Sequence, residues 1–156
     1  MGTLRLEPMT EERYDRYREV GEEKYAEHIA SSGTLPPQEA REKARADYVS
    51  LLPDGFHTAG HHFLTAYDGD DEVGILWLHL ERKSDGVHAF GYDFEVREEL
   101  RRRGHGRAIA EAAEVYCRER DVVAMELNVF GDNTAARALY EQLGYEPTSI
   151  KMRKRL

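Results

Sequence analysis

The chain has 156 residues, a length that fits one domain able to bury a core without metals or disulfides. Hydrophobic residues make up 40% and charged residues 33%, an ordinary globular balance, and a formal net charge of −8 argues against broad nucleic-acid binding. The single cysteine, Cys117, cannot close an internal disulfide, and neither a run of ~20 apolar residues nor a signal-peptide core is seen, so a reducing, cytoplasmic setting away from membranes is expected.

Residues 3–7 alternate apolar and polar side chains and read as a first strand. Thr10, followed by Glu11 and Glu12, starts a helix that runs toward Ala30 with an irregularity expected near Gly21. A loop over residues 31–37 leads to Pro36 or Pro37 at the entrance of a second helix, which Leu52-Pro53-Asp54-Gly55 breaks. Residues 62–67 form strand two, and Asp68-Gly69-Asp70-Asp71 is a solvated turn too short for a calcium loop. Strand three follows over residues 72–80, and its apolar centre Val73-Gly74-Ile75-Leu76-Trp77-Leu78 predicts a central strand covered on both faces. In strand four, alternation puts Phe90, Tyr92, Phe94 and Val96 on one face, with Asp93 and Glu95 on the other. His57, His61 and His62 lack metal-ligand spacing and read as loop or surface residues, with His61 and His62 facing opposite ways.

After strand four comes Arg101-Arg102-Arg103-Gly104-His105-Gly106-Arg107, opening a helix over residues 104–120. Glycines let a backbone approach a ligand closely, and the N–H groups of a helix N-terminus favour negative charge. The arginines add forked donors suited to phosphate oxygens, so the turn is a candidate seat for a diphosphate, with His105 beside it. A dinucleotide oxidoreductase does not fit, because the turn follows a late strand and lacks the third glycine and the acidic residue about 20 positions on. Strand five follows over residues 123–129. Asn133 caps a short helix with Ala136, Leu139, Tyr140 and Leu143 on one stripe, and Gly144 ends it in a left-handed cap. Residues 145–147 and 150–155 supply closing strands.

The second half of the chain resembles the Gcn5-related N-acetyltransferase (GNAT) superfamily. The resemblance rests on Arg101-x-x-Gly104-x-Gly106 after a strand, then Asn128-Val129-Phe130, then Asn133-x-Ala135-Ala136, then Leu139-Tyr140-Glu141-Gln142-Leu143-Gly144-Tyr145, in that order. Tyr92-Asp93-Phe94-Glu95, Leu52-Pro53-Asp54-Gly55 and Met152-Arg153-Lys154 resemble one bacterial branch of the superfamily that brings no known substrate. The expected fold is therefore α/β (α+β). It is a single domain over residues 1–156, with a mixed, mostly antiparallel twisted sheet of six or seven strands, strands four and five parallel and splayed, and about four helices.

The resemblance implies acetyl-CoA as cosubstrate, with no metal, its diphosphate on the N–H groups of residues 102–107. It also implies that the pantetheine arm lies beside Phe94, Glu95 and Val96, where a main-chain N–H polarises the thioester carbonyl. Asn133, with Ala135 and Ala136, is placed against the cofactor arm. Tyr140 takes the family position that protonates the leaving thiolate, although a core tyrosine would show the same helical spacing. An alkylamine of pKa ~10.4 must lose a proton before it attacks, and Asp93 and Glu95 are the candidate bases, with Tyr92 positioned to hold a water. Tyr25, His28, Tyr92 and Asn128 are candidate acceptor contacts, the acceptor being an amine-bearing small molecule or peptide. Family habit suggests a homodimer through the C-terminal strands. A coenzyme A-binding module that performs no transfer would share this fold and this turn, so the two readings stand side by side.

Overall fold

A computed structural model describes residues 4–156. Thr3, the expected start of the first strand, lies outside the described residues. Helical and alternating patterns become, in chain order, β1 (Leu4–Pro8), α1 (Glu11–Ser31), α2 (Pro37–Leu51), β2 (His61–Asp68), β3 (Asp71–Lys83), β4 (Gly86–Val96), α3 (His105–Arg118), β5 (Val122–Leu127) and α4 (Thr134–Gln142). The chain divides into two compact units, residues 1–126 and 127–156.

In the first unit the strands lie side by side in chain order. β1, β2, β3 and β4 are successively antiparallel, whereas β5, reached through α3, runs parallel to β4. β3 sits in the middle, and Val73, Ile75, Leu76, Trp77 and Leu78 are all buried, as its apolar run predicts. One face of the sheet packs Phe63, Ile75 and Trp77 under Met9, Tyr14, Tyr17 and Leu52 from α1 and its surroundings. The other face packs Leu64, Leu76 and Leu78 against Ala113 and Cys117 of α3, with Ile109 seated on Ala66 and Val73.

Thr10 caps α1 by accepting the Arg13 N–H at 3.1 Å. No irregularity interrupts α1 at Gly21. The glycine serves packing instead: a Cβ there would come within 2.7 Å of the Tyr48 hydroxyl, so its absence lets α2 lie close. The histidines also depart from expectation. His61 and His62 belong to β2 and are half-buried. They do face opposite sides: His61 accepts the Trp77 indole N–H at 3.0 Å, and His62 meets the Tyr116 hydroxyl at 2.6 Å. Burial, then the neighbouring His79 and His62, holds His61 down to a pKa of about 4, which suits a neutral ring accepting at Nδ1.

Gly74 on β3 sits where β4 and α3 come close. A Cβ there would run into the Glu95 carbonyl oxygen and stand 2.8 Å from Ile109 Cδ1. Gly74→Ala is expected to cost about 2 kcal/mol through overpacking, read as a lower urea midpoint with an unchanged slope. A midpoint equal to wild type would show that β3 and β4 separate freely there.

In the second unit, Asn133 Oδ1 accepts the Ala136 N–H at 3.2 Å and starts α4. Gly144, with φ at 95°, ends it as expected. The closing strands are not formed: residues 145–156 are assigned to neither helix nor strand, and Ile150, Met152 and Leu156 are exposed. The segment places few apolar residues among many charges, and its alternation alone does not specify a paired strand. Among the described residues the sheet has five strands, not six or seven. No helix among the described residues is long and apolar enough to cross a membrane.

Candidate active site

Between β4 and α3 the backbone takes a specific path. Arg101 is extended, Arg102 has φ 65° and Gly104 has φ 84°, and the helix then begins at His105. Left-handed residues just ahead of a helix are a feature of turns whose N–H groups can cradle an anion. No side chain caps α3, so the N–H groups of His105, Gly106 and Arg107 open its N-terminus without one. Arg101 Nε donates to the Val96 carbonyl at 3.2 Å, tying the turn to the end of β4. Arg102 and Arg103 are exposed. Arg107 Nε pairs with Glu111 at 3.0 Å.

His105 does not stand where the sequence suggests. Its side chain is buried, with Nδ1 3.2 Å from the Leu100 carbonyl and Nε2 3.4 Å from Asp68 Oδ2. The ring anchors the turn from beneath, and only its main-chain N–H belongs to the candidate seat.

β4 contains a bulge. Gly91 pairs with Leu78 and Asp93 with Trp77, leaving Tyr92 as an extra residue. The bulge shifts the alternation and corrects the expected face. Tyr92 stacks on Trp77 at 4.8 Å and packs on Phe90 at 4.9 Å, on the α1 side. Phe94 and Val96 pack on the α3 side. Tyr92, Asp93 and Glu95 thus share the face that α1 covers, and Tyr92 remains 40% exposed there.

The main chain of the same stretch points elsewhere. The Arg97 N–H donates to Val73 of β3 at 2.9 Å. By the period of two, the N–H groups of Phe94 and Val96 therefore turn away from β3. β5 accompanies the other half of β4, where a Cβ on Gly86 would meet Val123 at 2.9 Å and Glu126 reaches within 3.7 Å of His88.

The two acidic candidates are held differently. Asp93 accepts the Tyr17 O–H at 2.6 Å and the Phe94 N–H at 2.9 Å, both of its oxygens engaged. Burial raises its pKa against the lowering effect of the Tyr17 bond. Tyr17 itself is pushed well up, first by burial and then by Asp93. Glu95 is held more loosely, with Oε1 3.3 Å from Lys24 Nζ and its side chain 38% exposed. Neither Tyr17 nor Lys24 stood out in the sequence. The stripe Tyr14, Tyr17, Gly21, Lys24 and His28 at spacings of three and four was the available signal.

Two of the expected acceptor contacts, Tyr25 and His28, lie exposed on α1. Tyr25 donates its O–H to Asp47 at 2.8 Å. A groove of about 530 Å³ runs between α1 and α2, lined by Glu19, Glu22, Glu23, Glu27, Arg41 and Arg45 over Ala26 and Ala30. Neither Tyr25 nor His28 lines it. In the second unit, Asn133 is spent on the helix cap it was expected to make, with Ala135 and Ala136 in the first turn. Asn128 follows β5 and is exposed. Tyr140 packs edge-on against Tyr145 at 5.4 Å, and its carbonyl accepts the Tyr145 N–H at 2.9 Å. Among the described residues, no three His, Cys, Asp or Glu side chains gather as a metal site.

Known proteins resemble this chain in sequence and fold. The profile of the Acetyltransferase (GNAT) family matches residues 11–145, running through both units. A Bacillus subtilis (strain 168) protein named "Uncharacterized N-acetyltransferase YycN" is 34% identical over 155 residues, 99% of each chain. The crystal structure of YycN, titled a putative acetyltransferase, superposes with a TM-score of 0.89 over 99% of both chains. A Renibacterium salmoninarum "Mycothiol acetyltransferase" is 28% identical over 109 residues, 69% of this chain but 32% of its own length. Sequence match, near-complete coverage and shared fold lead to one conclusion: the chain belongs to the acetyltransferase (GNAT) family.

Proposed function

We propose that the protein is a single-domain N-acetyltransferase, residues 1–156, that moves the acetyl group of acetyl-CoA directly to a primary amine in a ternary complex. The observation that carries this reading is the backbone from Arg101 to Arg107, whose left-handed residues and open helix N-terminus suit a diphosphate. The fit extends into β4. The Val96 N–H, turned away from β3, donates to the thioester carbonyl, and the splayed edge beside Phe94, Glu95 and Val96 receives the pantetheine arm. Arg102, Arg103 and Arg107 add phosphate contacts, and Asn133, with Ala135 and Ala136, supports the cofactor arm.

The amine arrives protonated and must lose a proton. Glu95 suits the base better than Asp93, because Asp93 is already held by a phenol and a main-chain N–H. Asp93 then fixes the bulge, and Tyr92, exposed on the same face, orients a water or the acceptor. Asn128, Tyr25 and His28 are outer acceptor contacts. Tyr140 protonates the departing thiolate. The reaction takes place in the cytoplasm, and homodimerisation through the C-terminal segment is part of the proposal, read out as a dimer mass in solution.

No acyl-enzyme is involved. Cys117 is 1% exposed, and burial lifts its thiol pKa to about 11, leaving roughly a thousandth as thiolate at pH 8. Cys117→Ser is expected to keep transfer within about twofold of wild type, measured as amine-dependent thiol release. Loss of turnover would revive the covalent route.

Thiol release from acetyl-CoA across a panel of primary amines tests the proposal. Release that depends on the amine supports transfer. Tight coenzyme A binding with no turnover on any amine would favour a non-catalytic coenzyme A-binding module.

A further inference from the structure

Lys24 and Glu95 form a contact that the proposed reaction does not require. Lys24 sits on the α1 stripe one turn beyond Gly21, and its Nζ lies 3.3 Å from Glu95 Oε1. Both side chains remain open, 59% for Lys24 and 38% for Glu95. Asp93, two residues earlier on the same face, is closed off by Tyr17 and the Phe94 N–H. The exposed Tyr92 ring, displaced by the bulge, lies on the same covered face against Trp77. A primary ammonium on a slender alkyl chain therefore already rests on the one carboxylate of β4 that an incoming molecule can reach.

A protonated acceptor amine needs such a carboxylate contact before it can lose its proton. We infer that Lys24 occupies the acceptor's ammonium position in the resting enzyme, so that Lys24 is itself a site of self-acetylation. This inference rests on the proposed roles of Glu95 as base and the Val96 N–H as thioester seat. An exposed ion pair is weakly held, so an incoming ammonium displaces Lys24 readily.

The step balances. Glu95 takes one proton from the ammonium, and the freed amine nitrogen attacks the thioester carbonyl carbon. The new C–N bond forms as the C–S bond breaks. The nitrogen gives up a second proton, the thiolate leaves with a proton as free coenzyme A, and Glu95 returns its own proton to solvent. A neutral acetamide cannot replace the ammonium on Glu95, so acetylated Lys24 releases the carboxylate.

The chain carries internal controls. Its five lysines are Lys24, Lys43, Lys83, Lys151 and Lys154. Lys43 is also paired with a carboxylate, Asp47 at 2.8 Å, but on α2 and away from β4. The full-length protein is incubated with acetyl-CoA and no acceptor, and acetylation at each lysine is followed by peptide mass spectrometry. Lys24 is expected to label at least about tenfold faster than Lys43, Glu95→Gln to remove that excess while leaving Lys43 unchanged, and n-butylamine to suppress it while becoming acetylated. Equal labelling of Lys24 and Lys43, or a Lys24 excess that survives Glu95→Gln, overturns the inference. Turnover of added amines with Lys24 unlabelled overturns the inference alone. Absence of any affinity for coenzyme A by calorimetry overturns the proposed function beneath it.

Discussion

Replacing Gly104 by valine is expected to weaken coenzyme A binding by about 100-fold while the protein stays folded. Gly104 holds φ at 84° immediately before α3. An L-residue there costs about 1–2 kcal/mol, and a β-branched one more, so the backbone relaxes toward negative φ. Relaxation rotates the N–H groups of His105, Gly106 and Arg107 away from their common target. Losing one charge-assisted hydrogen bond, worth about 1.5–3 kcal/mol, and weakening a second account for the expected loss. The sheet and its two core layers are built by other residues, so the thermal midpoint is expected to fall by only a few degrees. Arg102 already carries φ 65° without being glycine, strain that fits a segment held for binding. Affinity within about threefold of wild type, by calorimetry, would mean the diphosphate sits elsewhere.

The second large effect is expected at Tyr140. Tyr140→Phe keeps the ring that packs against Tyr145 at 5.4 Å and keeps the main-chain bond that closes α4, so folding should be little changed. It removes the one proton assigned to the leaving thiolate. Positioned general acids contribute about 10²- to 10⁴-fold, and kcat is expected to fall within that range while KM for acetyl-CoA stays near wild type. Steady-state kinetics with an accepted amine measures both. A kcat within about twofold of wild type would return Tyr140 to an ordinary packing tyrosine.

How far the sequence spoke for itself depended on how local each signal was. The Thr10 cap, the Gly144 terminator, the central position of β3 and the glycine turn are set by neighbouring residues and are found as expected. Tyr92 was misplaced because strict alternation holds only for an unbulged strand, and a bulge is a property of two strands in register. His105 reads as a ligand neighbour in a string of arginines, yet Asp68, 37 residues away, draws its ring inward. Gly21 looked like a helix fault because nothing nearby in sequence announces Tyr48 across the helix pair. The partners of Asp93 and Glu95 were hidden for the same reason, Tyr17 lying 76 positions and Lys24 71 positions away. The expected closing strands failed on the opposite count, since alternation without a buried face specifies no partner.

The proposed function requires the N–H groups after Leu100 to converge on a diphosphate. Titrating the isotope-labelled protein with coenzyme A while following backbone amide resonances tests this most directly. The largest shifts are expected on residues 102–107 and on Val96, and are expected to disappear in Gly104→Val. Saturable shifts centred on other residues, with the amides of His105, Gly106 and Arg107 unmoved, would contradict it.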